Sequence, residues 1–265
     1  MDVKLLEQNK EGNRISFILS EAEVDFANLL RRYMIEEVPV MAIEDVEFKK
    51  NNSVLYDEIV AHRLGLIPLK TDLKSYFISE KCKCNGEGCA RCTLKLTLSS
   101  KNQGFVYAGE IKSKDPKIKP VYQKTIITKL IKGQDIEFEA TAMLGRGKTH
   151  MKWSPGVVYY KYMPSIELTN KADSCKEIIN QCPKKIFEMK NNKVSINKDN
   201  VNGCILCNAC VDTYPEAVKK EDKNNEFIFY IESFGQLSPK EMAIAALDEF
   251  EDKLNEFNEL IKKAK

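Results

Sequence analysis

Nine cysteines gathered into two groups constrain this chain more than any other feature: four fall within residues 82–92, five within 175–210, and none elsewhere. In a reducing compartment such grouping points to metal or cluster ligation rather than a disulfide framework, so each group obliges the backbone to bring thiolates together. The reducing compartment is itself an expectation from the sequence. MDVKLLEQNKEGNR at the N-terminus is charged from its second residue and lacks the apolar core of a signal peptide. No stretch approaches the roughly 18 apolar residues of a membrane span, and the chain is expected to be cytoplasmic.

The second group carries the sharper pattern. GCILCNACVDTYPEAV (203–218) keeps the first three positions of the ferredoxin run C-x2-C-x2-C-x3-C-P in Cys204, Cys207 and Cys210, and replaces the fourth with Tyr214, ahead of Pro215. In two-cluster ferredoxins the Cys before Pro in one copy ligates the cluster held by the other copy's first three cysteines. Upstream, Cys182 precedes Pro183, and the same spacing counted back from it reaches Ala172, Cys175 and Ile178. The region therefore reads as a two-copy ferredoxin domain with one ligand set eroded. The surviving set, Cys182, Cys204, Cys207 and Cys210, suits one [4Fe-4S] cluster. Zinc in the same thiolates, or an empty reduced site, are the other readings. Cys175 reads as a small buried apolar residue rather than a ligand.

The first group, KCKCNGEGCARC, places Cys82, Cys84, Cys89 and Cys92 on two short knuckles with Gly86 and Gly88 between them. Four soft thiolates in that arrangement suit a closed tetrahedral zinc site without an open catalytic position; vacant thiols, or two local disulfides formed on oxidation, are the alternatives.

At 265 residues the chain is long enough for roughly two or three units. RISFIL (14–19) alternates as a strand does. In residues 24–38 Ala27, Leu30, Met34 and Val38 recur at helical spacing before Pro39. MAIEDVEF returns to strand character, YDEIVAHRLGLIPL reads as a short helix running into an extended piece, and LKLTL, FVYAG, TIITKLI, DIEFEATAML and VVYYKYM read as strands. The lysine-bearing KSKDPKIKP (112–120) reads as a solvated loop. After a further strand at 226–233, Ser238, Pro239 and Glu241 spell a capping box that opens the longest helix. Along it Ala243, Leu247, Phe250, Leu254, Phe257 and Ile261 keep a 4-3 spacing, the seam of a helix packed along another helix.

Other chemistries lack their residues. GRGKTH (145–150) ends like a P-loop, but Ala142 stands where the motif needs glycine and no helix pattern follows. His62 and His150 are isolated and read as structural histidines. No Ser/His/Asp set, paired-carboxylate site or dinucleotide-binding glycine pattern is visible. With 41 basic against 39 acidic residues and a net charge of +2, the chain as a whole has no footprint for nucleic acid.

Several stretches together resemble one family: DFANLLRRYMIEEVPVMAIEDVEF, then NNSVLYDEIVAHRLGLIPL, then LGRGKTHMKWSPG. They resemble the D-type subunits of archaeal DNA-directed RNA polymerase, counterparts of the third-largest subunit of RNA polymerase II and of the bacterial alpha N-terminal domain. The resemblance spans essentially the whole chain. It implies an α+β protein in which residues 1–48 plus 223–265 form a discontinuous alpha-type dimerisation domain. A mostly-β domain with the Cys knuckle (49–168) and the ferredoxin-like domain (169–222) would be inserted into it. It further implies a non-catalytic scaffold that pairs with the polymerase's L subunit and receives the second-largest subunit and the small N and P subunits, with no sequence-specific DNA contact. Asn28, Arg31, Arg32 and the 56–69 segment would then lie where neighbouring subunits dock, and the Leu247 to Ile261 seam would face another chain. A ferredoxin-type electron carrier or redox sensor is the alternative from another class.

Overall fold

A computed structural model describes residues 1–264, with the side chains of all of these except 222 and 224. The elements in chain order are β1 (Asp2–Gln8), β2 (Arg14–Ser20), α1 (Val24–Glu36), β3 (Pro39–Asn51), α2 (Asp57–Gly65), β4 (Thr93–Ser100), β5 (Gly104–Tyr107) and β6 (Lys112–Ser113). There follow β7 (Ile126–Leu130), β8 (Ile136–Arg146), β9 (Gly156–Leu168), α3 (Ile178–Gln181), β10 (Phe187–Lys190), β11 (Lys193–Ile196), α4 (Ala209–Thr213), β12 (Val218–Ser233) and α5 (Pro239–Lys263). The fold is mixed α/β. Its sheets run β1-β2-β12-β9, β3-β8-β4-β6, β5-β7 and β10-β11.

The chain divides into two compact units. One comprises Met1–Leu6, Phe17–Ala27 and Tyr160–Phe229, the other Glu7–Ser16, Asn28–Tyr159 and Tyr230–Lys265.

In the larger unit β8 is the organising strand, because its residues alternate without a break. Ile136, Phe138, Ala140, Ala142 and Leu144 are buried while the residues between them are partly exposed. It pairs antiparallel with β3 on one side and β4 on the other; Ala140 stands opposite both Val46 and Leu96. Irregularities in β3 between Ile43 and Asp45 and between Phe48 and Lys50 shift the register, as bulges do. Val60 and Leu64, one turn apart on α2, pack into the same core as Met41, Ile43, Leu96 and Phe138. The 112–120 segment is not a wholly solvated loop: it opens with β6, and after it Lys117 Nζ donates to Asp72 at 2.8 Å and the Tyr76 hydroxyl to Asp115 at 2.9 Å.

The GRGKTH segment forms the end of β8 and the turn after it, with no helix of the P-loop type following. Its glycines serve close packing. A Cβ on Gly145 would overlap the Trp153 ring, and one on Gly147 would overlap the Ile35 carbonyl. His150 is structural in the same sense, its Nδ1 accepting from the Lys152 backbone N–H at 3.1 Å.

α5 begins where the capping residues place it. The Ser238 hydroxyl accepts from the Glu241 backbone N–H at 3.3 Å, and the Glu241 carboxylate accepts from the Ser238 N–H at 2.8 Å. Its buried face is Pro239, Met242, Ala245 and Ala246, residues outside the 4-3 seam. β12 also departs from the pattern in the sequence: it starts at Val218, eight residues before the expected strand at 226. The stretch KKEDKNN carries no alternation of apolar residues that would reveal it.

In the smaller unit Ala172, Ile178, Phe187, Val194, Ala217 and Val218 make a separate core. Phe17 stacks on Phe229 at 5.1 Å, and Tyr160 contacts both Phe227 and Phe229.

Candidate functional site

The knuckle is shaped by its backbone. Asn85, Gly86 and Gly88 take positive φ (51°, 88° and 88°), turning the chain between Cys84 and Cys89. A 3-10 turn, Ser79–Lys81, delivers Cys82, and Cys92 sits one residue before β4. The sulfur atoms of Cys82, Cys84, Cys89 and Cys92 all lie within 4.8 Å of one another. Two of the separations, Cys82 to Cys89 and Cys84 to Cys92, are 3.5 Å. A tetrahedral ion with zinc–sulfur bonds of about 2.3 Å spaces its ligands about 3.8 Å apart, so these four thiols fit one such ion.

Backbone N–H groups already point at the sulfurs: Cys89 N–H donates to Cys92 Sγ at 3.2 Å and Arg91 N–H to Cys89 Sγ at 3.4 Å. Such donors favour thiolate. The Cys84 thiol is held down at about 6, first by a backbone hydrogen bond from Cys89 and then by the Cys82 side chain. Burial, followed by the neighbouring Cys84, pushes Cys92 up to about 12. Four thiols this close cannot all ionise without a cation among them, which is the donor set a soft divalent metal takes.

In the second group Cys182, Cys204, Cys207 and Cys210 line one pocket, together with Ile166, Ile186 and other apolar residues. Cys182 caps the end of α3, where Pro183 forbids a further turn, and α4 carries Cys210. Leu206 and Asn208 adopt left-handed conformations (φ 56° and 61°), so the C-x2-C-x2-C loop curls around the pocket. The Leu206 N–H donates to Cys204 Sγ at 3.4 Å. Cys204 is buried, Cys182 and Cys210 are partly buried, and Cys207 is exposed. Burial, then the nearby Cys204, raises the Cys210 thiol.

Among the described residues, only the knuckle cysteines have sulfurs as mutually close as one ion requires. Ala172 and Ile178 are core residues of the smaller unit, and Cys175, Cys182, Cys210 and Tyr214 pack against the same core.

The residues expected at subunit interfaces are spread over α1 and α5. Asn28 and Arg32 are exposed and Arg31 partly so. Arg31 donates to Asn28 at 2.9 Å, and Arg32 pairs with Glu36 at 3.0 Å. On α5 Phe250 turns inward, its ring edge-on to Tyr33 at 5.4 Å. Leu247, Leu254, Phe257 and Ile261 remain 44–58% exposed, an apolar stripe that follows the buried first eight positions of α5, where Pro239, Met242, Ala245 and Ala246 pack. Two features escaped the sequence: the carboxylate of Glu37, buried among Arg146, Lys148 and Lys253, and Lys161, whose ammonium reaches the cysteine loop. Neither belongs to a motif, and only the folded chain brings their partners near.

Residues 45–157 match the RNA polymerase Rpb3/RpoA insert domain. Over its whole length the chain is similar to proteins named DNA-directed RNA polymerase subunit Rpo3. It is 39% identical to that of Methanosarcina mazei over 259 residues, covering 97% of this chain and 96% of the relative. It is 35% identical to that of Thermococcus kodakarensis over 265 residues, covering 100% and 99%. The chain belongs to the Rpo3 family. This is the archaeal polymerase family that the α1 to α2 stretches and the LGRGKTHMKWSPG loop resemble. Among the described residues no helix is long and apolar enough to cross a membrane.

Proposed function

We propose that this chain is a non-catalytic assembly subunit of archaeal DNA-directed RNA polymerase, working in the cytoplasm. It heterodimerises with the L subunit, and the pair receives the second-largest subunit and the small N and P subunits. The observation that carries this reading is the exposed stripe Leu247, Leu254, Phe257 and Ile261 on a 25-residue helix whose buried residues all lie in its first eight positions, before the stripe begins. A solvent-facing apolar seam of that length suits a partner helix. Membership of the Rpo3 family supports the polymerase as its setting.

In this reading residues 1–48 and 223–265 form the dimerisation domain, 49–168 the inserted β-rich domain and 169–222 the ferredoxin-like domain. Cys82, Cys84, Cys89 and Cys92 hold one structural zinc, supported by their sulfur spacing. Cys182, Cys204, Cys207 and Cys210 hold one [4Fe-4S] cluster, supported by their shared pocket. The ferredoxin-type carrier is not favoured, since Ala172, Ile178 and Tyr214 stand where the ligands of the second cluster that a relay would use belong.

Coexpression with the L subunit tests the assembly role. A stable 1:1 heterodimer is expected by analytical ultracentrifugation, and the double change L254E/F257E should abolish it while leaving the circular dichroism of the free chain unchanged. A chain that stays monomeric beside the L subunit would contradict the proposal. Anaerobic purification followed by elemental analysis should find about one zinc and about four irons per chain.

A further inference from the structure

Lys161 extends from β9 towards the cysteine loop and is only partly exposed. Its Nζ donates to the Asn202 carbonyl at 2.6 Å and to the Cys204 carbonyl at 2.8 Å. These two carbonyls bracket Gly203 at the end of the 3-10 turn Val201–Gly203, the point from which the chain enters the C-x2-C-x2-C loop. Lys184 and Lys220 line the same pocket, but Lys220 bonds a side chain, Asn208 Oδ1, at 3.2 Å. Lys161 instead grips the backbone of a cysteine, and that cysteine is buried.

We propose that Lys161 is the positioning residue of the cysteine pocket, clamping the Cys204 turn and setting a fixed positive charge beside the thiolates. The inference rests on the [4Fe-4S] reading of that pocket. Groups behind a ligand fix its orientation, and nearby charge and hydrogen bonding set a cluster's potential. A cation beside four thiolates favours the more negatively charged, reduced state of the cluster. Lys161 should therefore hold the potential up as well as hold the loop in place.

The test uses the full chain purified anaerobically, as wild type and as K161M, K161Q and K161R. Dithionite supplies one electron per cluster, taking it from the 2+ to the 1+ state, and the midpoint potential is read from the paramagnetic signal of the reduced form. K161M and K161Q should shift the potential to more negative values. Both should also lose iron to a chelator about tenfold faster, in line with the loss of a charge-assisted hydrogen bond. K161R, which keeps charge and donors, should stay near wild type in both measurements. If K161M and K161Q hold no cluster, rescue by K161R supports the assignment and failure of rescue overturns it. Wild-type potential and iron retention in all three variants overturn it too, while leaving the cluster reading intact. Wild-type protein without iron and sulfide overturns the cluster reading itself, and this inference with it.

Discussion

The Arg146 guanidinium donates to the Glu249 carboxylate at 2.8 Å, joining the end of β8 to the middle of α5 with both side chains largely withdrawn from solvent. Arg146 also approaches Glu37 at 3.7 Å, and Glu37 accepts Lys253 at 2.8 Å, so the ion pairs form a chain from Glu37, the residue after α1, to α5. Removing one partner of such a pair leaves a charge poorly solvated, whereas replacing both with apolar groups need cost little. Glu249→Ala should destabilise the chain by about 1–2 kcal/mol, less than a fully buried pair because Glu37 remains. The double replacement R146M/E249L should recover most of that loss. Chemical denaturation of the three proteins measures both.

Gly147 stands where any side chain would meet the Ile35 carbonyl. Forcing a methyl group into packed backbone costs about 2 kcal/mol. Gly147→Ala should lower stability by that amount, whereas Gly203→Ala, where a Cβ would meet nothing within 4 Å, should stay near wild type. Thermal melting of the two variants side by side separates a steric demand from a general intolerance of the change.

Asp72 gives the chain a pH dependence of known sign. The Lys117 ammonium, then the Ser75 hydroxyl, lower its carboxyl from the ordinary 3.8 to about 2. A carboxyl with a lowered folded value contributes stability above its unfolded value and loses it as pH falls through the folded one. Stability owed to this pair should therefore fade between about pH 4 and pH 2. Asp72→Asn should flatten that part of the profile, and melting curves across the interval read the difference.

The knuckle should behave as a structural metal site. Zinc is expected to leave on treatment with a strong chelator, and cleavage by a protease should then appear within residues 79–92. Cys84→Ser should show the same cleavage without chelator. Lys81, next to Cys82, pairs with Asp252 on α5 at 3.0 Å, so the released knuckle should also loosen that pair. Protease resistance unchanged by chelation would contradict a structural metal.

Much of the architecture was legible because short-range physics writes it into the sequence. The alternation of β8, the helical spacing of α1 and the capping box of α5 are all local consequences of backbone geometry, and the structure reproduces them. The grouping of Cys82, Cys84, Cys89 and Cys92 was legible for the same reason, since ligand spacing is a local pattern, and their sulfurs do come together. The ion-pair chain from Glu37 to Glu249 was not, because its members are far apart in sequence and none belongs to a motif.

Residue order alone dictates which side chains could ligate, where α5 begins, and that α5 carries an apolar seam. Folding at long range brings the four knuckle sulfurs within reach of one ion and gathers Cys182, Cys204, Cys207 and Cys210 around one pocket. It also buries Ala172 and Ile178 in a core, packs the partly buried Tyr214 against it and leaves Leu254 and Phe257 facing solvent. Ligand type and periodicity are properties of neighbours along the chain, whereas separation and burial are set by contacts between distant segments.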